Sequence, residues 1–159
     1  MSTLPRSAGT DVAAQCFLNA LLRETKDWRY LPATVADELS QIHIPLSSTQ
    51  AIRVPVRYFS PTQHHQYHFP AMLIQRDSDS GDAVTFTQLV DLILEKPSVK
   101  SSLDTETLAR FKQRALESHA HTWQAIDLRH NWATLRDKPL NFAQAEQALL
   151  VGHAFHPAP

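Results

Sequence analysis

Glycine is nearly missing from this chain, with only Gly9, Gly81 and Gly152 among 159 residues. A phosphate-cradling loop needs clustered glycines, so no P-loop or dinucleotide fingerprint can be built, and no Gly-x-Ser-x-Gly elbow occurs. Cysteine is scarcer still. Cys16 alone cannot staple the fold, which fits a reducing compartment. An excess of one charge is lacking too: fifteen Lys and Arg face sixteen Asp and Glu, with no basic run. Phosphate-backbone binding draws on clustered positive charge, so nucleic acid is a poor partner. No stretch reaches the ~20 apolar residues of a membrane span. Asp11, Gln15 and Asn19 interrupt the first apolar stretch, against a signal peptide. These absences point to a soluble cytoplasmic chain of about one domain.

What is present can build a core, since 43% of the residues are hydrophobic and 19% charged. Thr10 or Asp11 can cap a helix to about Thr25, with Val12, Cys16 and Ala20 beside Ala13, Phe17 and Leu21 as its apolar stripe. The Pro32-led segment Ala33 to Leu39 reads as one or two turns. Alternation then replaces the helical period. Ile42, Ile44 and Leu46 form one alternating stretch, Ile52, Val54, Val56 and Tyr58 a second, and Tyr67, Phe69, Met72 and Ile74 a third. These read as antiparallel strands with one buried face. Pro45, Pro55 and Pro70 each delete a backbone donor, which predicts edge positions or bulges. Ala83 to Phe86 suggests a short fourth strand.

Thr85 and Gln88 have capping-box spacing for a helix through Leu89, Leu92 and Ile93 that Pro97 ends. Asp104 or Thr105 caps the longest helix, with the stripe Leu108, Phe111, Ala115, His119, Trp123 and Ile126. Trp132 and Leu135 follow in a short segment. Asn141 caps a last helix through Ala145, Ala148 and Leu149, which Gly152 stops. The order helix, antiparallel strands, helices predicts an α+β fold.

The nine histidines invite a metal reading. Strand alternation puts His64 and His68 on one face and His65 on the other, and His119 and His121 diverge on a helix. Without converging ligands no metal site is predicted; His64 and His65 read as a wet turn and His119 as a partly buried helix face. Asp77, Asp79 and Asp82 lack the closing Glu of a calcium loop and read as a solvated turn. Cys16 lies in an apolar stripe and reads as core. At the C-terminus, Gly152 lets a helix turn into a loop stiffened by Pro157 and Pro159, which carries His153 and His156. Such imidazoles can donate to phosphate or carboxylate oxygens. The loop is equally readable as a tail without a role.

The stretch Gly152-His153-Ala154-Phe155-His156-Pro157 resembles the Gly-His-x-x-His-Pro signature of siderophore synthetases that work without a nonribosomal peptide template, the IucA/IucC family. Asp11 to Asn19, Arg23 to Trp28 and Tyr58 to His65 add to that resemblance, which spans nearly all of the chain. It implies an ATP- and Mg²⁺-dependent enzyme that adenylates a carboxylate of citrate and forms an amide with an amine. For the members it resembles in these segments, the amine is N6-acetyl-N6-hydroxylysine. It implies a thumb domain over residues 1–150 and the start of the nucleotide-binding region over 151–159, with His156 as a catalytic group and His153 and His156 as cofactor-binding groups. The Lys and further basic residues expected after the signature are absent. The chain therefore reads as an N-terminal piece, inert alone, that needs the remaining domains of its protein; a homo-oligomer is compatible with it. The competing reading is a non-catalytic interaction or assembly module of the same fold. A His-based metal sensor is disfavoured by the spacings above.

Overall fold

The computed structural model describes residues 11–75, 78 and 80–128. Its chain order is α1 (Val12–Glu24), β1 (Arg29–Leu31), β2 (Ser40–Pro45), β3 (Gln50–Tyr58), β4 (Gln66–Tyr67), β5 (Ala71–Gln75), β6 (Gly81–Val84), α2 (Phe86–Leu94), α3 (Pro97–Lys100) and α4 (Thr105–Leu128). The strands form one antiparallel sheet in the order β1-β2-β3-β5-β6, with β4 also paired to β3. This is the α+β architecture that the change of period predicts.

Register follows from the alternation. Ile42 faces Val54 and Ile44 faces Ile52, and Ile52 in turn faces Leu73. A slip of one residue would turn all of these to the opposite face. Ile42, Ile44, Ile52 and Val54 are almost wholly buried and pack with Leu18 and Leu22 of α1 and Leu89 and Ile93 of α2. Each such side chain contributes about 1.5–3 kcal/mol on burial.

Helix α1 is packed from two sides. Ala14, Leu18 and Leu22 lie one turn apart and buried, with the two leucines in the sheet core, while α4 lies against the same helix and against α2. The expected stripe of α1 is therefore shifted: Ala20 is exposed, and the buried positions are Ala13, Ala14, Cys16, Leu18, Asn19 and Leu22. Asp11 caps α1, its Oδ1 accepting from the Ala14 N–H at 2.9 Å. At the far end the Trp28 indole N–H donates to the carbonyls of Leu22 and Thr25 at 2.9 and 3.1 Å. It thereby satisfies two carbonyls that the last turn leaves over.

Several sequence expectations need correction. Strand β1 adds to the strands expected from the sequence, because three residues carry too little pattern to be read. The turn expected within residues 33–39 is present at 36–37, with Asp37 at φ 74. The stretch from Tyr67 to Ile74 is two strands, with Pro70 in the connection after a cis peptide bond. Strand β6 ends at Val84, and Phe86 already opens α2 behind the Thr85–Gln88 capping box. Phe111 on α4 is 46% exposed. Trp132, Leu135 and the helix expected from Asn141 lie outside the described residues.

Pro55 is not on an edge: it sits in the central strand. Its carbonyl accepts from the His68 N–H at 2.8 Å. A strand residue directs its N–H and C=O to one side, so the missing donor of Pro55 faces β4 and β5. There β3 changes partner, from Met72 opposite Arg53 to Tyr67 opposite Val56, and no ladder bond is lost.

Gly81 stands where β6 presses on β5. A Cβ there would lie 2.5 Å from the Leu73 carbonyl oxygen and 2.7 Å from Ile74 Cγ2. Gly81→Ala is expected to destabilise the protein by about 1–3 kcal/mol in urea denaturation. Ala83→Ser, on the exposed neighbour, should stay within about 0.5 kcal/mol.

Candidate functional site

Three polar clusters interrupt the apolar architecture. The first is enclosed between α1 and the β3–β4 connection. Asn19 on α1 donates to the His65 carbonyl at 3.1 Å and accepts from the His65 N–H at 3.1 Å and the Tyr67 hydroxyl at 2.9 Å. The ring of His65 stacks on Phe59 and meets Trp28 and Tyr67 edge-on. Its Nδ1 accepts from the Ser60 N–H at 3.1 Å, so the proton of the neutral ring is on Nε2, which is buried without a hydrogen-bond partner. Burial, with His64 close by, holds the imidazole below its usual pKa and so neutral. The Tyr67 hydroxyl is pushed up by burial. His65 thus corrects the wet-turn reading: it is 1% exposed. The cluster pins a loop to a helix and has no opening for a ligand.

The second cluster joins the start of α1 to α4. Asp11 Oδ2 lies 3.0 Å from His119 Nε2, and the imidazole stacks on Phe86 at 4.2 Å. A ring nitrogen that donates to a carboxylate cannot also accept. The Trp123 indole N–H, 3.3 Å from the same nitrogen, therefore belongs to Asp11, toward which it also hydrogen bonds. Burial pushes the Asp11 carboxyl up, but His119, the Ala14 N–H and Trp123 outweigh it and hold it below the usual carboxylate range. Beside this pair a space of about 160 Å³ separates α1 from α4, lined in part by Cys16, Phe17, Ala115 and Ser118. Burial, and after it the charge of Asp11, raises the Cys16 thiol, which suits a packing role rather than a nucleophile.

The third cluster lies on the sheet face turned away from α1 and α2. Arg29 on β1 is opposite His43 on β2, and His43 is opposite Arg53 on β3. Burial, then the charges of Arg53 and Arg29, hold His43 below its usual pKa. A cleft of about 460 Å³ opens at one end of this row, lined by Lys26, Trp28, Arg29, His43, Ser48 and Gln50 among others. Asp27 at its rim is bonded to Lys96 at 2.6 Å. Sequence reasoning missed this cluster. Alternation already put His43 and Arg53 opposite the core face, but Arg29 joins them only through β1.

The remaining candidates are dispersed. His64 is half-buried, His121 is exposed, and His68 Nδ1 accepts from Arg57 Nε and Nη2. Among the described residues no three His, Cys, Asp or Glu side chains are placed to hold a metal ion. Asp82 is exposed on β6, and Asp77 and Asp79 lie outside the described residues, as do His153 and His156. No helix is long and apolar enough to cross a membrane among the described residues.

No family model matches the chain. Over 152 residues, 96% of its length, it is 54% identical to the N(2)-citryl-N(6)-acetyl-N(6)-hydroxylysine synthase of Escherichia coli, and covers 25% of that protein. Over 91% of its length it is 37% identical to the synthase of the same name from Vibrio mimicus, of which it covers 23%. Its fold superposes with a TM-score of 0.81 and 54% identity on ATP-bound aerobactin synthetase IucA from Klebsiella pneumoniae, over 94% of this chain and 26% of that one. In sequence and fold the chain is similar to siderophore synthetases, and it spans about a quarter of the relatives' length. Within that class its similarity is to aerobactin synthetase IucA, the N2-citryl-N6-acetyl-N6-hydroxylysine synthase.

The Asp11–His119 pair makes a stability prediction. Asp11→Ala removes the cap of α1 and its tie to α4, which is expected to cost about 1–2 kcal/mol at neutral pH. Because the folded-state pKa of Asp11 is lowered, its contribution is complete above the usual 3.8 and is lost as pH falls through the lower folded value. In urea denaturation the gap between wild type and Asp11→Ala seen at about pH 5 should close as the pH falls below about 4.

Proposed function

We propose that the chain is the thumb domain of an ATP-dependent synthetase that joins citrate to N6-acetyl-N6-hydroxylysine. The observation that carries this reading is 54% identity over 96% of the chain to a synthase whose name states its product. In the proposed reaction a citrate carboxylate oxygen attacks the α-phosphorus of ATP, the α–β phosphoanhydride bond breaks and pyrophosphate leaves. The product name puts the citryl group on N2. The attacking nucleophile is therefore the α-amine, which displaces AMP from the acyl carbon, forms the amide and gives up a proton.

Stabilising a transferring phosphoryl group takes cationic donors and a metal clamp around it. The described residues supply no carboxylate set for Mg²⁺. No step is therefore routed through them, and ATP and Mg²⁺ are assigned to the full-length enzyme. In that enzyme we assign residues 1–150 to the thumb and 151–159 to the start of the nucleotide-binding region. A thumb of this kind acts by shape: it offers a rigid sheet-and-helix wall against which the other domains dock.

The test is a chimera in which this chain replaces the matching quarter of the Escherichia coli relative. With ATP, Mg²⁺, citrate and N6-acetyl-N6-hydroxylysine, the chimera is expected to form amide and AMP, and the 159-residue chain alone neither. A well-folded chimera without citrate-dependent pyrophosphate release would sink the assignment. Turnover by the chain alone would show that its own residues carry the chemistry.

His156 is assigned to the citrate carboxylate or the α-phosphate, and His153 to a supporting place at the helix end. Pro157 restricts the backbone of His156 to extended geometry, which favours a fixed aim for the ring. A hydrogen bond lost to a charged ligand costs about 1.5–3 kcal/mol, or roughly one to two decades in rate. His156→Ala in the chimera should lower citrate-dependent pyrophosphate release by that factor with folding intact. His153→Ala should act mainly on thermal stability. Near-wild-type release by both variants would remove the motif from catalysis.

A further inference from the structure

The sheet face turned away from α1 and α2 has an unusual charge pattern. The cross-strand rows on this face run Arg29, His43, Arg53, Met72 and Ala83, then Pro45, Ala51, Ile74 and Gly81, then Leu31, Gln41 and Pro55. No carboxylate occupies any of these positions. Arg29 and Arg53 flank His43 from both sides, so two guanidinium groups share one cross-strand row.

No partner offsets the arrangement among the described residues. The ion pairs among the described residues use Lys96, Lys100, Arg110, Lys112 and His119, and none of them uses Arg29 or Arg53. Arg53 Nε is buried with no hydrogen-bond partner, a cost of about 1–3 kcal/mol for a polar group and more for a charged one. Asp27, which lines the cleft beside Lys26 and Arg29, is half exposed and paired with Lys96 Nζ at 2.6 Å.

The cleft beside the row has a volume of about 460 Å³, within the range of small-ligand sites. Lys26 and Arg29 stand exposed at its wall, which Ser47, Ser48 and Gln50 also line. Trp28 closes one side and is fixed there by its two bonds to the end of α1. The wall thus carries two exposed cations, and its one carboxylate is already paired.

We propose that this cleft, with Lys26, Arg29, His43 and the adjoining Arg53, is a binding site for a small anion that carries two or more carboxylate or phosphate groups. Guanidinium groups pair such oxygens bidentately, and a multivalent anion offsets several opposed cations at once. The volume of the cleft favours a compact molecule over an acidic protein surface. The proposal rests on strand register and charge, and stands whether or not the adenylation reading holds.

Amide-resolved NMR of the 159-residue chain tests it, with tricarballylate and inorganic pyrophosphate as separate titrants and acetate as the monovalent control. At least one multivalent anion is expected to give saturable shifts at residues 26–29, 43 and 47–51, at least roughly tenfold tighter than acetate. The titrant that binds more tightly identifies the carboxylate or the phosphate source. Arg29→Gln and Lys26→Gln, both on exposed side chains, should each weaken binding by roughly tenfold without altering the rest of the spectrum. Arg53→Gln tests the adjoining arginine provided its spectrum stays native. No saturable shift with either anion to about 10 mM, shifts centred elsewhere, or unchanged affinity in the Arg29→Gln and Lys26→Gln variants would overturn the proposal.

Discussion

The described structure depends on the burial of α1 from two sides at once. Leu18 and Leu22 enter the sheet core, and Asp11 at the first turn holds α4 through His119. Neither layer would be placed without the helix between them. Among the described residues, no α4 side chain belongs to the core cluster that joins the sheet to α1 and α2. The longest helix is therefore ordered by what α1 and α2 present to it, chiefly Phe17, Phe86 and the capping carboxylate. A single carboxylate that caps one helix and binds another couples the two helices locally.

How much of this was legible in the sequence can be judged residue by residue. The sheet was legible because Ile42, Ile44, Ile52, Val54 and Val56 alternate cleanly, and period two admits no other reading when one face is buried. The capping box at Thr85 and Gln88 was legible because it is a local exchange of hydrogen bonds. β1 was not, because three residues owe their strand state to the pairing of Arg29, Tyr30 and Leu31 with β2. The face of α1 was misjudged by about one position, because a helix packed on two sides has no single stripe. His65 looked wet because its neighbours are polar, and only its stacking on Phe59 and the bonds from Asn19 reveal burial.

Histidine chemistry in the described part of the chain is spent on structure. His65 takes the Ser60 N–H, His68 takes the Arg57 guanidinium, and His119 meets Asp11. Each ring links segments that are distant in sequence or at a strand boundary, as a bifunctional side chain with a flat apolar body does well. The basic row Arg29–His43–Arg53 differs in kind, since nothing among the described residues gives it a structural return. That contrast separates side chains that hold the fold together from those that the fold holds in place. The Gly-His-x-x-His-Pro signature was legible from residue order alone, because it draws on no long-range pairing.

Both sheet edges are short. β1 contributes three residues and β6 four, and the long strand β3 lies in the middle with neighbours on both sides. A long open edge is a template for the backbone of another molecule, and short edges blunt that hazard. The arrangement puts the most β-prone sequence of the chain, Gln50–Tyr58, where no foreign strand can reach its ladder without first displacing a resident one. A nascent chain would be most vulnerable before β5 arrives, since β2 and β3 can pair as soon as their hairpin emerges while the other side of β3 stays open. Resistance to aggregation is thus conferred by the later strands on an earlier one, so that a domain cut short between Tyr58 and Ala71 would expose the edge that the complete sheet conceals.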